Sequence, residues 1–230
     1  GEDLMLLDNR RDASEIGYVG QDPENQIVTD KVWHELAFGL ENLGCSVGEI
    51  NRRVSEMASY FGIQTWFRKD TCELSGGQKQ LLNLAAVMAM HPKAIILDEP
   101  TSQLDPVAAS EFLNTLRRIN QELGTTIVIT EHRLEEVFPM ADQVLLMEDG
   151  RLLFQGTPQE TVRFVARAQK EELRELLPAS VWICMQVQPD CAAIPLTVRE
   201  GRLWLTETVK EPQIRHLERP KAETPVQDTA

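Results

Sequence analysis

Two short apolar runs joined by a helix constrain this chain more than anything else in it. Ala94-Ile95-Ile96-Leu97 ends in Asp98-Glu99-Pro100, and a second run, Thr126 to Thr130, follows after a helical stretch. Unbroken apolar runs of this length read as strands covered on both faces, the habit of parallel sheets. The helix between them opens at Asp105-Pro106, an N-cap followed by a proline at the first helical position. Phe112, Leu116 and Ile119 mark its inner face and Gly124 follows its end. A strand, a crossover helix and a parallel strand make a right-handed βαβ unit. The fold class is therefore α/β.

The flanking segments fill in the organisation. Ile16 to Gly20 is a short apolar stretch suited to an edge strand, and Gln21 to Gln26 is polar and broken by Pro23, as in a loop. Val32, Leu36, Leu40 and Leu43 then recur at helical spacing and Gly44 closes the segment. Ser46-Val47-Gly48-Glu49 reads as a capping box for a helix with Val47, Ile50, Val54, Met57 and Phe61 on one face, ending at Gly62. A third helix opens at Leu74-Ser75-Gly76-Gly77-Gln78 and runs to His91-Pro92. Residues 27–90 form a helical subdomain on this reading, between an N-terminal core segment (1–26) and a second core segment (91–178).

Within the latter, Gln143 to Met147 and Arg151 to Gln155 flank Asp149-Gly150, a hairpin signal. A helix capped at Thr157 continues through the charged run 170–175 to Pro178. Residues 179–209 hold short apolar pieces, Val181 to Met185, Leu196 to Val198 and Leu203 to Leu205, the last after a Glu200-Gly201 turn; they are expected to form a small β-like appendage. Residues 210–230 are polar and proline-containing, as in a linker.

Charge narrows the partners. The 230 residues carry 23 Lys+Arg against 36 Asp+Glu, a net charge of −13 with no basic cluster, which disfavours a nucleic-acid backbone as ligand. The longest apolar run, Leu84 to Met90, is far short of the ~20 residues a spanning helix needs. Cys45, Cys72, Cys184 and Cys191 form no C-x-x-C pair and read as reduced thiols.

Four features carry chemistry, each with an ordinary alternative. Leu74 to Gln78 places two glycines and a hydroxyl at a helix N-terminus, an anion site, or else a glycine-rich helix entry with no ligand. Asp98-Glu99 sits where a buried strand delivers a carboxylate to Mg²⁺ in phosphate-transferring enzymes, and a neighbouring Glu can deprotonate water, or else the pair merely caps a helix. Ser102-Gln103-Leu104-Asp105 is at least an N-cap. His132 follows a strand's C-terminal end, the edge where open α/β sheets bind ligands, although a lone His is more often structural.

In this order and combination the four resemble the ATP-binding subunits of ABC transporters. Leu74 to Gln78 matches the family signature, Ala94 to Pro100 the Walker B strand with its catalytic Glu, and Ser102 to Asp105 the D-loop. Thr130-Glu131-His132 is similar to the switch-histidine segment, and Gln21 to the Q-loop glutamine. The likeness covers about residues 14–165. Gln21-Asp22-Pro23-Glu24-Asn25-Gln26 with Val32 to Gly39 is similar to the ATPases of energy-coupling-factor transporters, which import vitamins and transition-metal ions.

The resemblance implies a P-loop NTPase-like ABC ATPase domain with a RecA-like core and an inserted helical subdomain. It implies ATP and Mg²⁺ as cofactors, with Asp98 and Gln21 at the metal and Glu99, His132 and Gln21 in catalysis. Ser75, Gly76, Gly77, Gln78 and Asp105 would bind nucleotide held by a second ABC ATPase domain. It further implies a transmembrane partner subunit, no nucleic acid, and a place on the cytoplasmic face of the membrane.

One part of the pattern is missing. The phosphate-cradling G-x-x-x-x-G-K-[ST] occurs nowhere in the chain, and only 20 residues precede Gln21. With no starting Met, the expectation is an N-terminally truncated domain with an incomplete core, inactive alone. The linker-like tail raises the further expectation of a second ABC module after it. Two rival readings stand beside this one: a non-catalytic ABC-like partner module, disfavoured by the intact Asp98-Glu99 and His132, and a soluble ABC ATPase of another class acting on DNA or ribosomes, disfavoured by the acidic charge and the Pro-Glu-Asn-Gln run.

Overall fold

The computed structural model describes residues 14–132, 134–168, 173, 177–188, 191 and 193–208. Three parallel strands, β1 (Ile16–Val19), β2 (Ala94–Asp98) and β3 (Thr126–Thr130), lie in that order. Ile16 pairs with Ala94 and Ala94 with Thr126, so all three strands end on the same side. Helix α1 (Pro23–Gln26) follows β1, then α2 (Val32–Asn42), α3 (Val47–Tyr60) and α4 (Gly76–Ala89). Helix α5 (Pro106–Arg118), extended by a wider turn at Ile119–Leu123, crosses from β2 to β3. The expected βαβ unit is present, with Asp105 capping α5 and Pro106 opening it.

One continuous apolar core unites these elements. It takes Val32, Leu36 and Leu40 from α2, Leu82, Leu84 and Met88 from α4, Ile95 and Leu97 from β2, and Phe112 and Leu116 from α5. Each such side chain contributes ~1.5–3 kcal/mol of transfer free energy when fully buried. Gly17 shows how closely α4 lies on β1. A Cβ there would sit 2.2 Å from Val87 Cγ1 and 3.1 Å from Ile95 Cγ2. Val87 is β-branched on a helix and has essentially one rotamer, so it cannot swing aside. At Gly39 the added atom would meet Met90 Sδ at 2.8 Å, and a flexible thioether yields more easily. Gly17→Ala is therefore expected to cost ~1–3 kcal/mol, and Gly39→Ala clearly less. Urea midpoints of the two variants check this; equal midpoints would contradict it.

Three local expectations need correction. β2 is not covered on both faces: Ile96 is 41% exposed, and its register neighbours Tyr18 and Val128 are 55% and 45% exposed. That row is only partly covered, and a run of apolar letters cannot say whether a full covering layer is at hand. Gln21 to Gln26 is not a plain loop but contains α1. Asp22 accepts from the Glu24 N–H (3.0 Å), Pro23 opens the turn, and Gln26 folds back to accept from Gly20 N–H (3.0 Å) and donate to Tyr18 C=O (2.9 Å). That gives the Pro-Glu-Asn-Gln run a structural reason. The box at Ser46 is half formed: Ser46 Oγ accepts from Glu49 N–H, but the Glu49 carboxylate pairs with Arg53 at 2.6 Å, and Val47 is exposed.

The larger correction lies at the C-terminal end. After the short helix α6 (Leu134–Val137), β4 (Val144–Glu148) and β5 (Arg151–Gly156) form the expected antiparallel hairpin, with Asp149 and Gly150 both at positive φ. α7 (Pro158–Ala168) follows; the charged run beyond it, apart from Leu173, lies outside the described residues, as do 1–13 and the tail from 209. The region expected to be a β-like appendage is instead helical: α8 (Ala179–Val187) and α9 (Val198–Thr208).

Thr197 and Glu200 cap α9 reciprocally: Thr197 Oγ1 accepts from Glu200 N–H (3.1 Å), and Glu200 accepts from Leu196 and Thr197 N–H. Gly201 is no turn. It lies in α9 where a Cβ would meet Ser180 Cβ at 3.0 Å, so it lets α8 and α9 approach. Phe138, Val162, Val165, Leu177, Val181 and Ile194 build a second core joining the hairpin, α7 and α8. Burial, with Cys191 beside it, pushes the Cys184 thiol up to about 12.

Candidate functional site

The C-terminal ends of three parallel strands bring the separated sequence features together. Gln21 follows β1, Asp98 ends β2 with Glu99 next to it, and Thr130 ends β3 with His132 just beyond. Thr130 joins them. Its hydroxyl donates to Asp98 Oδ1 at 2.7 Å and accepts from the Glu99 N–H at 3.1 Å. The Glu99 N–H also points at Thr130 C=O, at 3.1 Å. Glu99 stands at φ 42°, a left-handed conformation that costs a non-glycine residue of order 1 kcal/mol or more. That turn carries its carboxylate off the strand axis.

Both Glu99 oxygens are engaged. Gln21 Nε2 donates to Oε2 at 3.2 Å, and His132 Nε2 lies 3.0 Å from Oε1. These contacts span 78 and 33 residues of sequence. The His132 side chain is 81% exposed, so the cluster opens to solvent. The Glu99 carboxylate is thus held by a group on either side, in a cluster that stays open to solvent at His132.

The signature residues lie elsewhere. Ser75 and Gln78 form a reciprocal capping box at the start of α4: Ser75 Oγ accepts from Gln78 N–H (3.3 Å), and Gln78 Oε1 accepts from Ser75 N–H (3.0 Å). The first-turn N–H groups of Gly76 and Gly77 have no intrahelical partner to bond, and so suit an anion. Ser75, Gly77 and Gln78 line a cleft of about 450 Å³ with Ala108, Glu111 and Arg118 of α5. A Cβ at Gly77 would lie 3.1 Å from Ala108 Cβ, so α4 and α5 nearly touch there. Asp105 is occupied as a cap, accepting from Val107 and Ala108 N–H at 2.9 and 3.0 Å. Neither Asp105 nor Ser75 to Gln78 bonds to the Glu99 cluster.

Three supporting residues escaped the sequence reading. Gln80 is fully buried in α4 and donates through Nε2 to Gly20 C=O and Pro100 C=O, each at 3.0 Å. It holds the residue before Gln21 to the residue after Glu99. Asn83, one turn on, donates to Pro23 C=O at 3.1 Å. Thr130 is the third in its role alone: the sequence named it with the Thr130-Glu131-His132 segment, but not its bonds to Asp98 and Glu99. A polar residue inside an otherwise apolar helix or strand was the available signal.

The donor set suits Mg²⁺. Asp98 offers a carboxylate and Gln21 an amide oxygen, both hard ligands. Among the described residues no group of three or more His, Cys, Asp and Glu side chains could cage a metal. Mg²⁺ fits such a sparse site, because it keeps several waters and takes one or two carboxylates plus phosphate oxygens.

Comparison with known proteins places the chain in a family. The ABC transporter family model matches residues 1–102. The energy-coupling factor transporter ATP-binding protein EcfA1 of Caldanaerobacter subterraneus is 39% identical over 200 residues, 85% of this chain and 69% of that protein. The chain belongs to the ABC transporter ATP-binding family.

This ABC ATP-binding chain is also 47% identical over 208 residues to an ABC transporter ATP-binding protein of Bacillus anthracis. The match covers 89% of the chain but 37% of that relative, so the chain spans little more than a third of the Bacillus protein's length. Among solved structures, cbiO1 of Clostridium perfringens, described as part of the ABC transporter complex cbiONQ, superposes with a TM-score of 0.60 at 35% identity. That match covers 83% of this ABC chain and 67% of cbiO1. Among the described residues no helix is long and apolar enough to cross a membrane.

Proposed function

We propose that the chain is part of the ATP-hydrolysing subunit of an energy-coupling-factor-type importer of a vitamin or transition-metal ion, seated against a transmembrane partner on the cytoplasmic face of the membrane. The observation that carries this is the Gln21–Glu99–His132 cluster, assembled from three strand ends in a chain related to EcfA1 and cbiO1. Glu99 is the general base for the attacking water. His132 and Gln21 hold its carboxylate from either side and reach the phosphate that is transferred. Asp98, with Thr130 bonded to one oxygen, keeps the other for the metal. Bound Mg²⁺ supplies charge neutralisation on the phosphate oxygens.

Ser75, Gly76 and Gly77 present donors to the γ-phosphate of a nucleotide held by a second ABC domain, and Asp105 orients α5 beside them. Catalysis on this reading is positioning and electrostatics, with little covalent work by the protein.

The test is phosphate release from Mg·ATP by the full-length protein, alone and with its co-purified membrane subunit. Turnover that rises with the membrane subunit is expected. Co-purification with nucleic acid instead, or no hydrolysis in either state, would reject the reading.

A further inference from the structure

The last ladder pair of β2 and β3 is Asp98 opposite Thr130. Beyond it, besides the Glu99–His132 contact, a second side chain connects the two chains. Glu131 Oε1 accepts from the Thr101 N–H at 3.0 Å and from Thr101 Oγ1 at 2.5 Å. Its other oxygen, Oε2, accepts from the His132 N–H at 3.0 Å. Bonds to an ionised acceptor are roughly twice as strong as neutral ones. Thr101 itself is fully buried. The loop after it is hung from that point: Leu104 N–H bonds to Thr101 C=O, Ser102 N–H to Glu99 C=O, and Leu104 anchors the loop in the core. This loop leads directly to the Asp105 cap and to α5, which touches the signature helix at Ala108.

We propose that Glu131 is a positioning residue that couples the Thr101–Asp105 loop to His132, and so sets how the imidazole stands against Glu99; this rests on the hydrolytic role of the Glu99 cluster. The spacing demands this residue type. These three donors point at one carboxylate, so both oxygens must accept. Glu131→Gln can offer an acceptor to Thr101 or to His132, but whichever way the amide turns its NH₂ faces a donor on the other side. Glu131→Asp keeps the charge but is one methylene too short to span both partners.

Two measurements test it. In the 230-residue chain, Glu131→Gln should speed backbone amide exchange at His132, Thr101 or both by ~10-fold, leaving Leu97 and Ile129 unchanged. Unchanged exchange at both residues overturns the linkage, as does a rise spread equally over the strands. This measurement involves no nucleotide, so it judges the linkage even if the full-length protein fails to hydrolyse ATP, which would sink the functional reading instead. In the active full-length protein, Glu131→Gln should lower kcat ~10-fold with KM for ATP within about two-fold, and should add no further loss to His132→Ala. Losses that multiply in the double variant overturn the proposal, because a residue acting through His132 has nothing to position once the imidazole is gone.

Discussion

Glu99→Gln in the full-length protein is expected to lower ATP turnover by ~10²–10⁴-fold while nucleotide binding persists. The substitution changes few contacts. The amide is isosteric with the carboxylate, can still accept from Gln21 Nε2, and leaves the turn at φ 42° in place. What it removes is basicity. An amide takes no proton from water at any useful pH, and no neighbour is placed to substitute. Asp98 is bonded to Thr130, and His132 reaches the site through Glu99 itself. On the proposed reading Glu99 acts on the attacking water and does not itself hold the nucleotide, so binding is expected to be spared. Phosphate release and equilibrium binding of Mg·ATP, measured on the same preparation, check both halves. Near-normal turnover would remove Glu99 from the chemistry.

Glu99 and His132 were readable in the sequence because they sit at strand ends with unusual chemistry, two acids closing one apolar run and a histidine after another, whereas Gln21, in a segment read as a loop, was named only through the family resemblance. Parallel pairing then brings the three ends to one edge whatever lies between them. The fold was legible where local signals were strong. Asp105-Pro106, Ser75 with its glycines, and Asp149-Gly150 each stood where the structure puts a cap or a turn.

Legibility failed where tertiary contact decides. Gly201 looks like a turn residue in sequence, but its missing side chain serves a helix crossing against Ser180. Thr197 and Glu200 carried a readable cap, obscured by short apolar pieces that suited strands equally well. Ile96 was expected to be covered because its neighbours in sequence are apolar; whether anything lies on it is a matter of the next layer, not of the strand. The role of Gln80 was invisible for a related reason: its partners are backbone carbonyls 20 and 60 residues away. Glu131 was named with its segment, but its link to Thr101, 30 residues away, follows from no spacing rule.

Gln80→Glu is expected to destabilise the fold strongly, with a pH dependence of defined sign. Gln80 is fully buried, and its NH₂ satisfies two backbone carbonyls, those of Gly20 and Pro100. A carboxylate has no proton for either. Two carbonyls left unpaired cost ~1–3 kcal/mol each, and the new charge would face two oxygens in a dry site. Folding therefore favours the protonated acid, which can still donate to one carbonyl.

The folded pKa of the new carboxyl is raised above its unfolded value of about 4.3. Such a group's contribution is fully present below the unfolded pKa and is lost as pH rises through the folded one. The deficit against the unsubstituted protein should thus be larger at pH 7.5 than at pH 5. Gln80→Leu, which loses the same donors without adding a charge, should show an equal deficit at both. Urea midpoints of the three proteins at the two pH values decide it. A Gln80→Glu deficit that does not change with pH would mean that the site admits water and the carboxylate is solvated there. In that case Gln80 would not be the dry strut that holds Gly20 and Pro100, and with them Gln21 and Glu99, in register.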